Sequence, residues 1–321
     1  MVLILSLASL VIMPFLGMTT LSPQSLWMNE NTNSLHANIF WNMRLPRVLL
    51  AFTAGAALAL CGLVYQTLFR NALATPYTLG ISGGASLGAA LSVVLGLNMS
   101  LWGYGASTLC AFLGAISAIS IIYGIAKLKG GFSVMTLLLA GVALNFFFSS
   151  VILFSQYIGA FSDSIRIMRW LMGGLETVGY ESLHTLLPVT VITAIVIFSL
   201  TRELNLLSVG EDIASTRGAS VEKLKISLFL TTSLQVGTVV ALCGPIGFIG
   251  MMAPHISRLL VGPDHTYLTI TSLLFGGTFL VICDTASRII IAPAELPVGI
   301  LTALLGGPFF LWLLINGQNK A

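Results

Sequence analysis

Polar positions are so sparse along this chain that they punctuate it rather than alternate with the apolar ones. A helix needs about 20 apolar residues to cross a bilayer, so 321 residues with short connections leave room for roughly ten spans. The pattern places these at about 1–16, 48–65, 79–97, 101–126, 134–157, 184–200 and 226–243, then a short span carrying Pro254, His255 and Arg258, then about 267–288 and 298–315. A polar loop at about 19–41 separates the first two. The longest charged stretch, 206–225, lies between the sixth and seventh. Within it Glu211 and Asp212 suit the start of a short helix, where they complement its dipole. Gly218 suits a left-handed helix end, with a second short helix to follow. Such a shape serves either docking onto a soluble partner or a plain solvated loop between spans.

Composition agrees. Hydrophobic residues make up 56% against 8% charged, and the mean hydropathy of +0.98 excludes a water-soluble fold of this size. The fold class is therefore an all-α polytopic membrane protein, and residues 1–321 form a single transmembrane domain. The net charge of +3 is small and its basic residues are dispersed, which argues against nucleic-acid binding. Cys61, Cys110, Cys243 and Cys283 stand singly in apolar runs and read as packing residues rather than metal ligands or a disulfide framework. The first span has no basic residue before it and no small-residue cleavage site, so it is expected to be retained.

Orientation follows from the basic residues. With 206–225 on the cytoplasmic side, the inner face carries Arg70, Lys127, Lys129, Arg202, Arg217, Lys223, Lys225, Arg258 and Lys320. The outer face carries Arg44, Arg47, Arg166, Arg169 and Arg288. This bias places both termini in the cytoplasm. Arg44, Arg47 and Arg288 fall near the outer ends of two spans. They read as a positive patch able to receive acidic side chains of a soluble partner, or as arginines reaching lipid phosphates. Asp284 lies one turn before Arg288, a spacing that would neutralise an acid inside a span.

Smaller features refine the picture. Gly80, Gly84 and Gly88 recur every fourth residue, which lets a neighbouring helix approach closely, and no Gly-Lys-Ser/Thr follows to make a phosphate loop. Trp170 beside Arg166 and Arg169 suits a short interfacial helix at about 165–173. The run Gly244-Pro245-Ile246-Gly247-Phe248-Ile249-Gly250 should interrupt a helix, and irregular backbone at membrane depth survives only when buried in protein or lining a wet cavity. Gln66, Asn145 and Gln156 suit hydrogen bonds between helices. The four histidines show no metal or catalytic spacing, so neither catalytic residues nor a metal site is expected. An ion-coupled secondary transporter would need an ionisable group near the midplane, and Asp284 alone qualifies.

Five ordered motifs then carry a resemblance. These are Arg44-Leu45-Pro46-Arg47; Asn71-Ala72-Leu73-Ala74-Thr75-Pro76 with Leu79-Gly80; Gly210-Glu211-Asp212 to Gly218; the 244–250 run with Pro254-His255; and Glu295-Leu296-Pro297-Val298-Gly299-Ile300. Together they resemble the FecCD family, the permeases of ferric-siderophore and vitamin B12 ABC importers. The resemblance implies a type II importer architecture of about ten helices in the bacterial inner membrane. It also implies a second permease subunit, identical or paralogous, two ABC ATPase subunits that bind the ATP and Mg, and a periplasmic binding protein. It assigns coupling to the ATPase to Glu211, Asp212, Ala214 and Gly218, binding-protein docking to Arg44, Arg47 and Arg288, and the cytoplasmic gate to Asn71 and Leu73. Ala72 departs from the family's usual Pro, Cys283 from its frequent Ala, and Asp212 from Glu. A ferric siderophore is the implied cargo, with haem or vitamin B12 as alternatives.

Overall fold

The computed structural model describes residues 1–17, 33–72, 74–101, 103–129, 131–218 and 220–317. Ten apolar helices account for most of them: six long and apolar enough to cross a membrane, and four shorter ones. In order these are α1 (Val2–Ile12), α3 (Leu45–Leu68), α4 (Ile81–Val94), α5 (Ala106–Leu128), α6 (Val134–Ile158), α8 (Glu181–Ser199), α11 (Val221–Cys243), α12 (Ile249–Val261), α13 (His265–Ile289) and α14 (Val298–Gly317). Each falls on one of the ten predicted spans. Between them come the short helices α2 (Asn33–Asn38), α7 (Phe161–Leu171), α9 (Thr201–Val209) and α10 (Glu211–Thr216).

Several boundaries differ from expectation. The loop expected at 19–41 is helical from Asn33, because α2 runs through a π-helical stretch, Ile39–Arg44, straight into α3. Pro46 thus lies inside one continuous helix, His36–Leu68, and the Asn42 and Trp41 carbonyls one turn before it accept instead from the Gly179 N–H at 2.8 Å and the Tyr180 hydroxyl at 2.9 Å. The fourth span starts at Ala106, after a two-stranded hairpin in which Ser100–Leu101 pairs with Tyr104–Gly105. The interfacial helix begins at Phe161 rather than near 165 and buries Ile167. Among the described residues no second short helix follows Gly218: the chain continues from Ser220 into the long α11, and the short pair is instead α9 and α10, divided at Gly210.

Glycine contacts explain the packing. A Cβ on Gly62 of α3 would lie 1.7 Å from the Gly250 carbonyl oxygen of α12, and one on Gly55 would lie 2.3 Å from the Gly276 oxygen of α13. The two backbones therefore touch α3 directly, as small residues allow between membrane helices. Gly84 and Gly88 approach α5 at Gly114 and Cys110 in the same way. Gly80 is different: it precedes α4 at φ +76° and faces α6, so only two of the three regularly spaced glycines share the α5 contact.

Candidate functional site

The two ends of α11 carry the features that bear on function. At its first end, α9 is anchored by Leu204 and Leu207, both fully buried. Asn205 Oδ1 accepts from the His265 backbone N–H at 2.9 Å and lies 2.8 Å from His265 Nδ1. His265 Nε2 in turn lies 2.8 Å from Thr67 Oγ1 near the end of α3. Asp264 caps α13, accepting from Thr266 N–H at 2.9 Å and from Asn205 Nδ2 at 2.9 Å. These donors, the Thr266 amide first, hold its carboxyl below the usual carboxylate range. One asparagine thus ties α9 to α13, and through the histidine to α3.

The sequence-predicted coupling residues are brought together on α10 and its end. Glu211 Oε2 meets Lys225 Nζ of α11 at 2.5 Å. Ala214 turns inward and is buried, while Asp212 and Arg217 are exposed and Ile213 is 46% exposed. Gly218 has φ +86° with nothing within 4 Å of an added Cβ. Its requirement for glycine is a matter of backbone conformation, not crowding. The result is a short helix tethered at one corner that presents an apolar side chain among polar ones.

The arginines assigned to docking lie at the other side of the bundle, but not as an exposed patch. Asp284 is fully buried between Arg47 Nη2 at 3.0 Å and Arg288 Nε at 3.3 Å. Arg47 Nη1 also meets Glu295 at 2.8 Å. Arg44, 7% exposed, donates to the Phe15 carbonyl at 3.0 Å. A carboxylate in an apolar bundle draws whatever cations can reach it, so burial and pairing replace the exposed charge. The expected Asp284–Arg288 pair is present. Arg47 and Glu295 complete a network that linear spacing does not show, and the group borders a cavity of about 170 Å³.

Beside this network, at the far end of α11, the chain is interrupted as expected: Gly244 and Phe248 adopt φ +66° and +68°. Gly174 N–H donates to the Cys243 carbonyl at 2.9 Å, and the Tyr77 hydroxyl donates to the Ile246 carbonyl. The freed backbone is thus satisfied within the protein. A cleft of about 530 Å³ opens there between α7 and Gly244, lined by Arg166, Arg169, Trp170 and Glu176 among others.

Of the gate candidates, Asn71 lies exposed just past α3, its N–H bonded to the Gln66 carbonyl at 3.1 Å; Leu73 lies outside the described residues. Gln66 and Asn145 bridge elements as expected, Gln66 Nε2 to the Met251 carbonyl at 3.2 Å and Asn145 Nδ2 to the Tyr77 carbonyl at 2.8 Å. Among the described residues no cluster of His, Cys, Asp or Glu could hold a metal. The Asn205–His265–Thr67 bridge is the feature missed from sequence; its three members are scattered polar residues without a spacing rule.

Comparison with known proteins agrees with this architecture. The model of the FecCD transport family matches residues 1–316. The hemin transport system permease protein HmuU of Yersinia pestis is 38% identical over 306 residues, which cover 95% of this chain and 91% of that one. The cobalamin import system permease protein BtuC of Halobacterium salinarum is 39% identical over 283 residues, covering 88% and 75%. Among solved structures, an ABC transporter of metal-chelate type in an inward-facing conformation superposes with a TM-score of 0.84 at 32% identity, covering 98% of this chain and 97% of that one. The resemblance carried by the five ordered motifs therefore holds from end to end, and the chain belongs to the FecCD transport family.

Proposed function

We propose that this chain is the membrane-spanning permease subunit of an ATP-binding-cassette importer that brings a ferric siderophore into the cytoplasm. The observation that carries this reading is the layout of α11. One end joins a tethered short helix with Ile213 and Asp212 outward, suited to a groove on a soluble ATPase. The other end, 23 residues on or about 35 Å at 1.5 Å per residue, opens into a cleft beside interrupted backbone. A push on α10 is thus connected through one rigid rod to the place where cargo would enter, which is the geometry alternating access requires.

In this reading two ATPase subunits hold ATP and Mg, a second permease copy or paralogue completes the pathway, and a periplasmic binding protein delivers cargo near Arg44, Arg47 and Arg288. The membrane is the bacterial inner membrane, with both termini cytoplasmic. Asn71 and Leu73 stand at the cytoplasmic gate. Likeness to HmuU favours haem as the second candidate cargo.

The test is co-expression with candidate ATPase and binding-protein subunits, purification, and uptake of radioactive iron chelate into proteoliposomes. Co-purification of the ATPase with uptake that requires ATP and the binding protein is the expected result. A chain that purifies without an ATPase, and whose uptake follows an imposed proton gradient without ATP, would replace this reading with an ion-coupled transporter.

A further inference from the structure

We infer that the cleft between α7 and Gly244 is a cargo subsite built for carboxylate-bearing metal chelates, with Arg166 and Arg169 as its anion-binding groups and Trp170 as its flat wall. The inference rests on the importer reading and narrows it to a chemical class of cargo.

Volume comes first. At about 530 Å³ the cleft is within the range that takes a small organic ligand or chelate, and it is the largest of the cavities described above. Charge comes next. Arg166 and Arg169 are three residues apart on α7, so they share a helix face, and both are exposed and line the cleft. Elsewhere the arginines near this side of the bundle are spoken for: Arg47 and Arg288 are paired with Asp284, and Arg44 and Arg288 donate to carbonyls. Arg166 and Arg169 form no ion pair among the described residues. Their guanidinium forks remain open for carboxylate oxygens. Glu176 also lines the cleft, and Asp163 lies on α7. Neither carboxylate is within ion-pair distance of the two guanidiniums, so the cationic pair is offset but not quenched.

Rigidity is the third element. Ile167, on the other side of α7, is 2% exposed and packs with Ala90 and Ile152. Just past α7, Gly173 is so close to Pro245 that a Cβ would lie 2.3 Å from its carbonyl oxygen. The helix that carries the arginines is therefore held at both its buried face and its end, and the forks start from a fixed backbone. Trp170 adds an aromatic face on which a planar ligand can lie.

The test uses the full chain with its ATPase in nanodiscs. Haemin, which carries two carboxylates, haemin dimethyl ester, which carries none, and ferric citrate are titrated while tryptophan fluorescence is followed, with Trp170→Phe as the reporter control and empty nanodiscs as the baseline. Haemin or ferric citrate should quench Trp170 at least tenfold more tightly than the ester binds. Each of R166Q and R169Q should weaken the anion by about tenfold, the loss of one charge-assisted contact, while R166K with R169K keeps most of the affinity. Equal binding of acid and ester, failure of both anions to quench, or indifference to the double Gln variant would overturn the inference. In every arm co-purifying ATPase and its hydrolysis rate are measured alongside. Their absence in the unmodified chain would count against the importer itself, whereas their persistence with charge-blind binding would remove only the subsite.

Discussion

Asn205 holds His265 at two points with a single oxygen, the backbone N–H at 2.9 Å and Nδ1 at 2.8 Å. With Nδ1 as the donor, Nε2 is left to face Thr67 Oγ1, so the histidine bridges α9 and α3 from the first turn of α13. Asn205→Leu removes the acceptor from buried donors and should cost about 1–3 kcal/mol, read as a lower midpoint in thermal unfolding of the detergent-solubilised chain. Ser208→Ala, one turn along on an exposed position, should leave the midpoint in place. An unchanged midpoint for Asn205→Leu would show that the bridge contributes nothing.

Asp264 gives this region a pH dependence of known sign. Its carboxyl lies below its ordinary value of 3.8 when folded, so the cap's contribution is complete above that value and is lost as pH falls through the lowered folded one. Asp264→Asn should flatten the acid limb of a stability profile below about pH 4, and a limb of unchanged steepness would assign it to other carboxylates.

Asp284→Asn should be far more damaging than a surface change, because it strands Arg47 and Arg288 in a buried site. The expected loss is about 3–5 kcal/mol, seen as aggregation in size-exclusion chromatography. A triple variant, Arg47→Met with Asp284→Leu and Arg288→Met, removes the stranded charges together and should recover a monodisperse peak, leaving Glu295 solvated at 35% exposure. If the triple variant aggregates as badly as Asp284→Asn, the network is needed for shape as well as for charge balance.

Gly62 and Gly124 make a matched pair of helix glycines. An added methyl at Gly62 would collide with the Gly250 backbone, while at Gly124 it meets nothing within 4 Å. Gly62→Ala should therefore destabilise by about 1–3 kcal/mol or more, and Gly124→Ala should be neutral or gain up to about 1 kcal/mol. Parallel thermal melts decide this, and equal midpoints would contradict the contact.

Gly218→Val forces a branched side chain to φ +86° at a cost of about 1–3 kcal/mol. Asn, which tolerates the left-handed region, should be accepted there. The expected phenotype of Gly218→Val is continued ATP hydrolysis with reduced uptake, absent from Gly218→Asn. Normal uptake by the Val variant would detach this turn from coupling.

Much of this organisation was legible in the sequence because lipid leaves few options. Every span announces itself as an apolar run, and the breaks at Gly218 and Gly244 are written in residues that permit unusual backbone. The α10 start at Glu211 follows from helix electrostatics alone. What escaped is long-range. Nothing in the spacing of Arg47 and Asp284, 237 residues apart, says that they meet, although two isolated charges in apolar runs are a reason to look for a pair. The inward burial of Arg44 and Arg288 escaped for the same reason: a basic residue near a span's end reads as solvated until a neighbouring helix covers it. Gly80 misled through periodicity, since a residue in step with Gly84 and Gly88 shares their face only if the helix has already begun.

The direct seating of α3 against its neighbours has a mechanical consequence. The most apolar part of the span containing α3 is 89% buried, against 22% for α6, and its glycines rest on the main chains of α12 and α13 with no side chain between. A rod seated on peptide planes has no soft layer in which to roll, so it serves as the spindle of the molecule. Any rearrangement of the bundle should therefore cost least at thinly covered helices such as α6 and most where α3 meets the main chains of α12 and α13.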